Sequence, residues 1–163
     1  ELFDYSPDYA DMIAEKGIFV DPTLALSRLN QLRSVDGIGP ASGAFASTDL
    51  RYEILRDMWD RGVKFVTGMD SGMTNANFDD FAYIPEVMVE DMGITPMEAI
   101  ISATQVSADC LGLLDEIGTL EEGKAADVLI INGNPAVDIK ALHDVNTIVK
   151  QGQIVKQENE LLI

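Results

Sequence analysis

The sequence predicts an α/β fold that is followed by a mostly β tail. Two observations support this class. Up to about Leu113, short apolar runs alternate with amphipathic segments of helical period, and beyond Leu113 the period becomes that of strands and turns. The 163 residues, of which 47% are hydrophobic, are enough to bury a core. We therefore expect two parts, residues 1–113 and 114–163.

Helices and short strands alternate in the first part. Helices are predicted at 8–16, 24–35, 49–61, 81–92 and 95–113. Two apolar runs, 18–20 and 63–67, lie between helices and are therefore expected to be buried parallel strands. A closed (β/α)8 barrel needs about 250 residues. Residues 1–113 are too few for a whole barrel and are compatible with its last quarter.

Capping residues and glycines set the ends of these elements. Ser6-Pro7 precedes the first helix, and Thr95-Pro96 opens the last one with Glu98 three residues after the threonine. Gly17 and Gly62 follow the last helical residues, as is typical of helix ends. Residues 36–47 are rich in Gly, Ala and Ser and predict a flexible, lid-like loop.

The tail reads as strands joined by turns. Residues 118–120 and 126–131 are predicted strands on either side of a turn at Gly123-Lys124. Residues 147–150 and 153–156 flank Gln151-Gly152 and are predicted to form a hairpin.

The charge of the chain limits its partners. It carries 28 acidic and 11 basic residues, a net charge of -17 at pH 7. Such a surface repels phosphate backbones and anionic lipid heads, so we expect neither nucleic acid nor a membrane surface as a partner. The acidic surface then serves solubility or, alternatively, attracts cations.

The ends and the single cysteine give further expectations. The first nine residues hold three acids and no base, so no signal peptide is predicted. Because the chain opens with Glu1 rather than Met, we expect a trimmed chain or the later part of a longer gene product. Cys110 cannot form an internal disulfide, and its apolar neighbours predict a buried helical position.

Asp70 is the strongest candidate for chemistry. It follows the strand at 63–67 and precedes Ser71-Gly72. Residues at the carboxyl ends of parallel strands face the active site in α/β folds, and a carboxylate there can bind a metal ion or accept a proton. The alternative is a turn-forming aspartate that accepts backbone N–H bonds.

Other polar residues are weaker candidates. His143, the only histidine, lies in a polar connector and indicates a solvent-facing residue. The acidic pairs Asp79-Asp80 and Glu90-Asp91 are typical of helix caps or solvated faces, although the first pair has the alternative of facing a pocket. Ser71 has no nearby histidine, and the loop 68–72 has no lysine, so neither a serine hydrolase nor a phosphate-binding loop is predicted.

Residues 62–156 resemble the end of amidohydrolases of the imidazolonepropionase and Xaa-Pro dipeptidase type. The stretch 63–72 (VKFVTGMDSG) is similar to the eighth barrel strand and its metal-binding aspartate. The stretch 93–113 (GITPMEAIISATQVSADCLGL) is similar to the helix that follows. The stretch 118–135 (GTLEEGKAADVLIINGNP) resembles the strands that lead from the barrel into a small β-sandwich, and 145–155 resembles its closing hairpin. More loosely, 14–24 resembles the helix after strand six and the seventh strand.

The resemblance implies a fold and a site. Residues 1–113 would be the last strands and helices of a (β/α)8 barrel, followed at 114–163 by part of a small β-sandwich. Asp70 would bind zinc or another divalent metal and act as general base. Thr23 would border the substrate pocket, and Met69 stands where the family usually has a small or hydroxylated residue. The family's metal-binding histidines and its strand-four bridging residue are absent, so this chain by itself is expected to lack a complete metal site.

Two functional interpretations follow. In the first, the chain belongs to a hydrolase that cleaves amide, cyclic amide or dipeptide C–N bonds of small molecules, and it is inactive without a complementing N-terminal segment. In the second, it is a non-catalytic structural fragment that pairs with another copy or complements another chain.

Overall fold

The computed structural model describes residues 5–33, 48–72, 76–158 and 160–162. The chain forms two compact units, Glu1–Ile94 and Thr95–Ile163. The loop predicted at 36–47 lies outside the described residues, and the division of the chain at residue 113 stays a prediction.

The first unit has the α/β alternation that the sequence predicts. Its elements in chain order are α1 (Pro7–Glu15), β1 (Phe19–Val20), α2 (Ala25–Leu32), α3 (Thr48–Asp60), β2 (Lys64–Phe65), a 3-10 turn (Phe78–Ala82) and α4 (Tyr83–Glu90). The two strands are parallel, as predicted, with Phe19 opposite Lys64 and Val20 opposite Phe65. Both strands are shorter than their apolar runs, and Ile18 is 48% exposed rather than buried. Only two residues of each run therefore pair in the ladder.

The most deeply buried side chains of this unit lie in or next to α2, β2 and α4. The large side chains that are less than 2% exposed include Leu24, Leu29, Phe65, Ile84, Val87 and Met88. The three residues from α4 have the i, i+3, i+4 spacing of one helix face. The Trp59 ring on α3 meets the Phe65 ring edge-on, with 5.8 Å between centroids. Aromatic pairs of this geometry add to the stability that burial alone provides.

Arg28 links α2 to α4 through three carboxylates. Its guanidinium lies 2.9 Å from Glu86 Oε1, 3.1 Å from Glu90 Oε2 and 2.7 Å from Asp91 Oδ2. The acidic pair Glu90-Asp91 therefore serves to join two helices, which is a structural role.

The second unit begins with one helix that contains a π turn. The segments are α5 (Pro96–Ile101), the π turn (Ser102–Val106) and α6 (Ser107–Cys110). The predicted capping box is present, because Thr95 N–H donates to Glu98 Oε2 at 3.1 Å and Glu98 N–H donates to Thr95 Oγ1 at 3.4 Å. The π turn was not predicted from the sequence.

Cys110 is exposed, so the prediction of a buried position is wrong. The buried residue of this helix turn is Ala108, which is 2% exposed. A residue two positions later lies about 200° around a helix, on the opposite face. The apolar neighbours of Cys110 therefore did not indicate the face that the cysteine itself occupies.

A four-stranded antiparallel sheet completes the second unit. Its strands, in spatial order, are β3 (Val128–Ile131), β4 (Val145–Lys150), β5 (Gln153–Gln157) and β6 (Glu160–Leu161). The predicted hairpin is confirmed as β4 and β5. Both turn residues have positive φ, 50° at Gln151 and 78° at Gly152, as a two-residue hairpin turn requires. A short 3-10 turn, Ile139–His143, precedes β4.

The strand predicted at 118–120 is wrong, because these residues form an irregular loop. Gly118 packs against the preceding helix, where an added Cβ would lie 2.6 Å from the Ala108 Cβ. The Lys124 ammonium holds the loop by donating to the Leu114 carbonyl at 2.6 Å and to Thr119 Oγ1 at 2.5 Å. These contacts hold the loop against the preceding helix and near Leu114, and residues 118–120 pair with no described strand.

Asp127 gives the sheet an acid-sensitive contact. Its carboxylate accepts from Lys150 Nζ at 2.5 Å and from the Gln151 N–H at 2.7 Å, and these two bonds, in that order, lower the pKa of the Asp127 carboxyl. The stabilisation that these bonds give to the folded state should be present above the ordinary aspartate pKa of about 4. It should be lost as the pH falls through the lowered pKa of Asp127 in the folded state.

Asp127→Asn is therefore expected to lower the urea midpoint of unfolding at pH 7, with a difference that shrinks as the pH falls below 4. Asp115→Asn, at an exposed aspartate of the same unit, is the control and should change little at either pH. An equal loss at pH 7 and pH 3 would contradict an ionised Asp127 as the cause.

Among the described residues (5–33, 48–72, 76–158 and 160–162), no helix has both the length and the apolar character that crossing a bilayer requires.

Candidate functional site

The parallel pair brings two loops side by side in the first unit. Residues 21–23 follow β1, and residues 66–72 follow β2. The Val66 N–H donates to the Val20 carbonyl at 3.0 Å, so the backbones of the two strands remain hydrogen-bonded just beyond the ladder. Binding and catalytic groups concentrate at this end of parallel strands, which makes these loops the candidate site.

Asp21 joins the two loops. Its Oδ1 accepts from the Thr23 N–H at 3.1 Å and from the Gly68 N–H at 3.0 Å. A Cβ on Gly68 would lie 1.7 Å from Asp21 Oδ2, so glycine alone fits beside the carboxylate where it stands. The sequence analysis assigned no role to Asp21 and missed this contact. The signal available in the sequence was that an aspartate follows each of the two predicted parallel strands closely, Asp21 after the first strand and Asp70 after the second.

Asp70 lies on a strained and anchored turn. Its φ of +56° is in the left-handed region, and Thr23 on the neighbouring loop has φ of +44°. Such conformations are uncommon for residues other than glycine and are rarest for β-branched ones. Met69 beside it is 8% exposed, whereas the Asp70 side chain is exposed. The backbone therefore turns the carboxylate outward while its neighbour packs inward.

The turn that carries Asp70 closes on itself. The Gly72 N–H donates to the Ala76 carbonyl at 3.1 Å. No backbone N–H of a described residue donates to the Asp70 carboxylate. Whether Asp70 binds a metal ion or only forms this turn therefore stays a prediction.

Arg51 supports the loop after β1 from behind. This residue is 8% exposed, and its guanidinium donates to the Pro22 carbonyl and, at 3.0 Å, to Ser27 Oγ. Burial lowers the pKa of the Arg51 guanidinium. These two bonds hold Pro22, the residue next to Asp21, from behind.

Asp80 has a structural role beyond the Asp70 turn. Its carboxylate accepts two bonds from the Arg33 guanidinium, at 2.6 and 2.5 Å, and one from the Asn77 N–H at 2.8 Å. Asp80 is 5% exposed, whereas its neighbour Asp79 is exposed. Of the two predictions for this pair, the helix-capping one is confirmed by the capping box at Asn77.

The described residues do not include a grouped set of metal ligands. In residues 5–33, 48–72, 76–158 and 160–162, no three His, Cys, Asp or Glu side chains are grouped so that they would hold a metal ion. His143 is exposed on the 3-10 turn of the second unit. Structural and catalytic zinc sites use three or four protein ligands. A metal ion at Asp70 would therefore need ligands beyond those that the described residues bring together.

A groove between α3 and the end of α4 lies apart from the strand-end loops. Acidic residues dominate its lining, which consists of Asp49, Tyr52, Glu53, Arg56, Asp57, Asp60, Glu90, Asp91 and Met92. Several of these carboxylates are already engaged by Arg28 and Arg56. The groove therefore does not compete with the strand ends as the candidate site.

Known proteins resemble this chain along most of its length. It is 29% identical over 163 residues to the imidazolonepropionase of Geobacillus kaustophilus, an alignment that covers 94% of this chain and 38% of that protein. It is 27% identical to the 5-methylthioadenosine/S-adenosylhomocysteine deaminase of Caldanaerobacter subterraneus, and this alignment covers 98% of this chain and 43% of the deaminase. The chain thus spans less than half the length of each of these relatives.

Solved structures show the same likeness. A Xaa-Pro dipeptidase with methionine bound in its active site superposes with a TM-score of 0.74 at 30% identity, covering 94% of this chain and 38% of the dipeptidase. The Amidohydrolase family pattern matches residues 3–155. The resemblance that the sequence motifs indicated is confirmed, and the chain belongs to the amidohydrolase family.

Proposed function

We propose that this chain is the C-terminal portion of a metal-dependent hydrolase that cleaves C–N bonds in small amides, cyclic amides or dipeptides. Membership of the amidohydrolase family supports the reaction class. The likeness to imidazolonepropionases and to a Xaa-Pro dipeptidase supports small substrates. In this proposal β1 and β2 are the last two strands of a (β/α)8 barrel, and residues 114–163 contribute to a small β-sandwich.

The observation that carries the proposal is the placement of Asp70. The residue follows β2 at the carboxyl end of a parallel pair, its side chain is exposed, and its backbone is held between the anchored Gly68 and Gly72. We assign Asp70 as a metal ligand and as the general base. A carboxylate on a held backbone loses little further freedom when it engages a metal ion or a proton.

The remaining ligands must come from outside the described residues. In the proposal they belong to a preceding segment of the same gene product or to a complementing N-terminal chain. Zinc or another divalent metal, when bound, would supply Lewis acidity and make a water more acidic. The part of Asp70 is to accept a proton at a carboxylate oxygen and to return it to the departing nitrogen.

Asp70→Asn is expected to lower hydrolysis about 100-fold or more, because the variant loses both the charge and the proton acceptor. The assay supplies the complementing N-terminal segment and zinc, and measures turnover of an Xaa-Pro dipeptide and of a cyclic amide. Asp79→Asn is the matched control, since Asp79 is exposed nearby and should leave turnover unchanged.

Metal content provides the second measurement. Elemental mass spectrometry after dialysis is expected to find zinc well below one equivalent in the 163-residue chain and a higher content in the complemented protein, with that gain lost in Asp70→Asn. Turnover and zinc content that are unaffected by Asp70→Asn would refute the assignment. One equivalent of zinc in the chain alone would instead favour ligands supplied by a second copy.

A further inference from the structure

We propose that Asp21 is a positioning residue for Asp70: it holds the loop after β2 in the conformation from which the Asp70 carboxylate projects. The importance of Asp70 rests on the function proposed above, whereas the contacts of Asp21 are observed in this structure.

The first step is the contact between the loops. Asp21 and Gly68 are 47 residues apart in the sequence, yet Asp21 Oδ1 accepts the Gly68 N–H at 3.0 Å. The same oxygen accepts the Thr23 N–H at 3.1 Å. One carboxylate oxygen therefore ties its own loop and the neighbouring loop together. Hydrogen bonds to an ionised acceptor are stronger than those between neutral groups, which suits a contact that must order a loop.

The second step is the close fit at Gly68. A Cβ at this residue would lie 1.7 Å from Asp21 Oδ2 and 2.7 Å from Asp21 Cγ. Contacts that close cannot be absorbed by a short, doubly hydrogen-bonded side chain without breaking its bonds. The Asp21 carboxylate can therefore keep its position only while residue 68 is glycine.

The third step links Gly68 to Asp70. Only the buried Met69 separates them, and beyond Asp70 the Gly72 N–H is held by the Ala76 carbonyl. Asp70 thus lies between two anchored amides, with φ of +56°. A left-handed aspartate persists only where its surroundings impose the conformation, and the Asp21–Gly68 contact is the anchor nearest to it on the strand side.

The test measures the backbone of Asp70 directly. In the isotopically labelled 163-residue chain, the three-bond HN–Hα coupling and the Cα and Cβ chemical shifts of Asp70 report the left-handed conformation. Asp21→Ala is expected to abolish this signature. Asp21→Asn keeps an oxygen that can accept both N–H bonds and is expected to retain it. Asp8→Ala, at an exposed acid on α1, is the control.

Gly68→Ala approaches the same contact from the other side. It should displace the Asp21 carboxylate and reproduce the loss of the Asp70 signature, and adding Asp21→Ala to it should change the signature little further. If Asp70 keeps its left-handed signature in a folded Asp21→Ala or Gly68→Ala variant, the proposal is wrong. Because either variant suffices, failure of one of them to fold leaves the test intact.

Kinetics separate this proposal from the function on which it rests. In the complemented enzyme, Asp21→Ala is expected to lower kcat about 10- to 100-fold with a small change in KM, and Asp21→Asn should restore most of it. If Asp70→Asn is fully active while Asp21→Ala still abolishes the Asp70 signature, the proposed function fails and the positioning contact stands. If Asp70→Asn is inactive while Asp21→Ala keeps both signature and rate, the positioning role fails alone.

Discussion

Replacing Phe65 with alanine is expected to destabilise the chain by about 3–5 kcal/mol, the usual cost of truncating a buried phenylalanine. Phe65 is 1% exposed, lies in β2 and contacts the Trp59 ring edge-on. The substitution removes apolar burial, leaves a cavity beside the tryptophan and weakens the strand that leads to the Asp70 turn. Chemical denaturation followed by tryptophan fluorescence measures the change, since Trp59 is the only tryptophan.

Phe78 provides a control of the same residue type. It is 87% exposed, so Phe78→Ala should change stability by no more than about 0.5 kcal/mol. Because a loss of 3–5 kcal/mol can unfold a small domain, Phe65→Leu is the milder companion, with an expected cost of about 1 kcal/mol. Equal effects of Phe65→Ala and Phe78→Ala would contradict the placement of Phe65 in the core.

Replacing Asp80 with alanine is expected to cost about 2–3 kcal/mol. The change removes both bonds from Arg33 and the acceptor of the Asn77 N–H. Removing one partner of a fully buried pair costs about 3–5 kcal/mol, and the value is lower here because the Arg33 side chain is 35% exposed and stays partly hydrated. Thermal and urea unfolding, each at low and high salt, measure the loss.

The neighbouring aspartate is the matched control. Asp79 is exposed, so Asp79→Ala should change stability by less than about 0.5 kcal/mol. Most of the loss in Asp80→Ala should persist in 1 M salt, because a largely buried carboxylate is poorly screened. If the loss disappears in salt, Asp80 acts as a surface charge and not as the buried anchor of this segment.

The sequence alone determined the features that depend on neighbours in the chain. The capping box of Thr95 and Glu98 lies within one helix turn, and the hairpin at Gln151-Gly152 within a few residues of its turn. The parallel pairing of β1 and β2 followed from apolar runs that alternate with helices. The motif around Asp70 led to the amidohydrolase family, and its chemical role stays a prediction.

Features without a local signal were missed or misplaced. The strand β6 is two exposed residues long, too short to show an alternating pattern. The loop at 118–120 has strand-like residues, but its glycine packs against a helix and Lys124 donates to the Thr119 hydroxyl. The exposure of Cys110 depends on which face of its helix is covered, and its own apolar neighbours lie on more than one face.

The tertiary structure alone decided how the candidate site is held. The contact of Asp21 with Gly68 and that of Arg33 with Asp80 each join residues 47 apart, and no pattern within either segment specifies its partner. Local signals report what a segment gains from its own neighbours. Contacts between distant segments must also offset the entropy of closing the intervening chain, so they form only where the packed helices and strands already bring the two residues together.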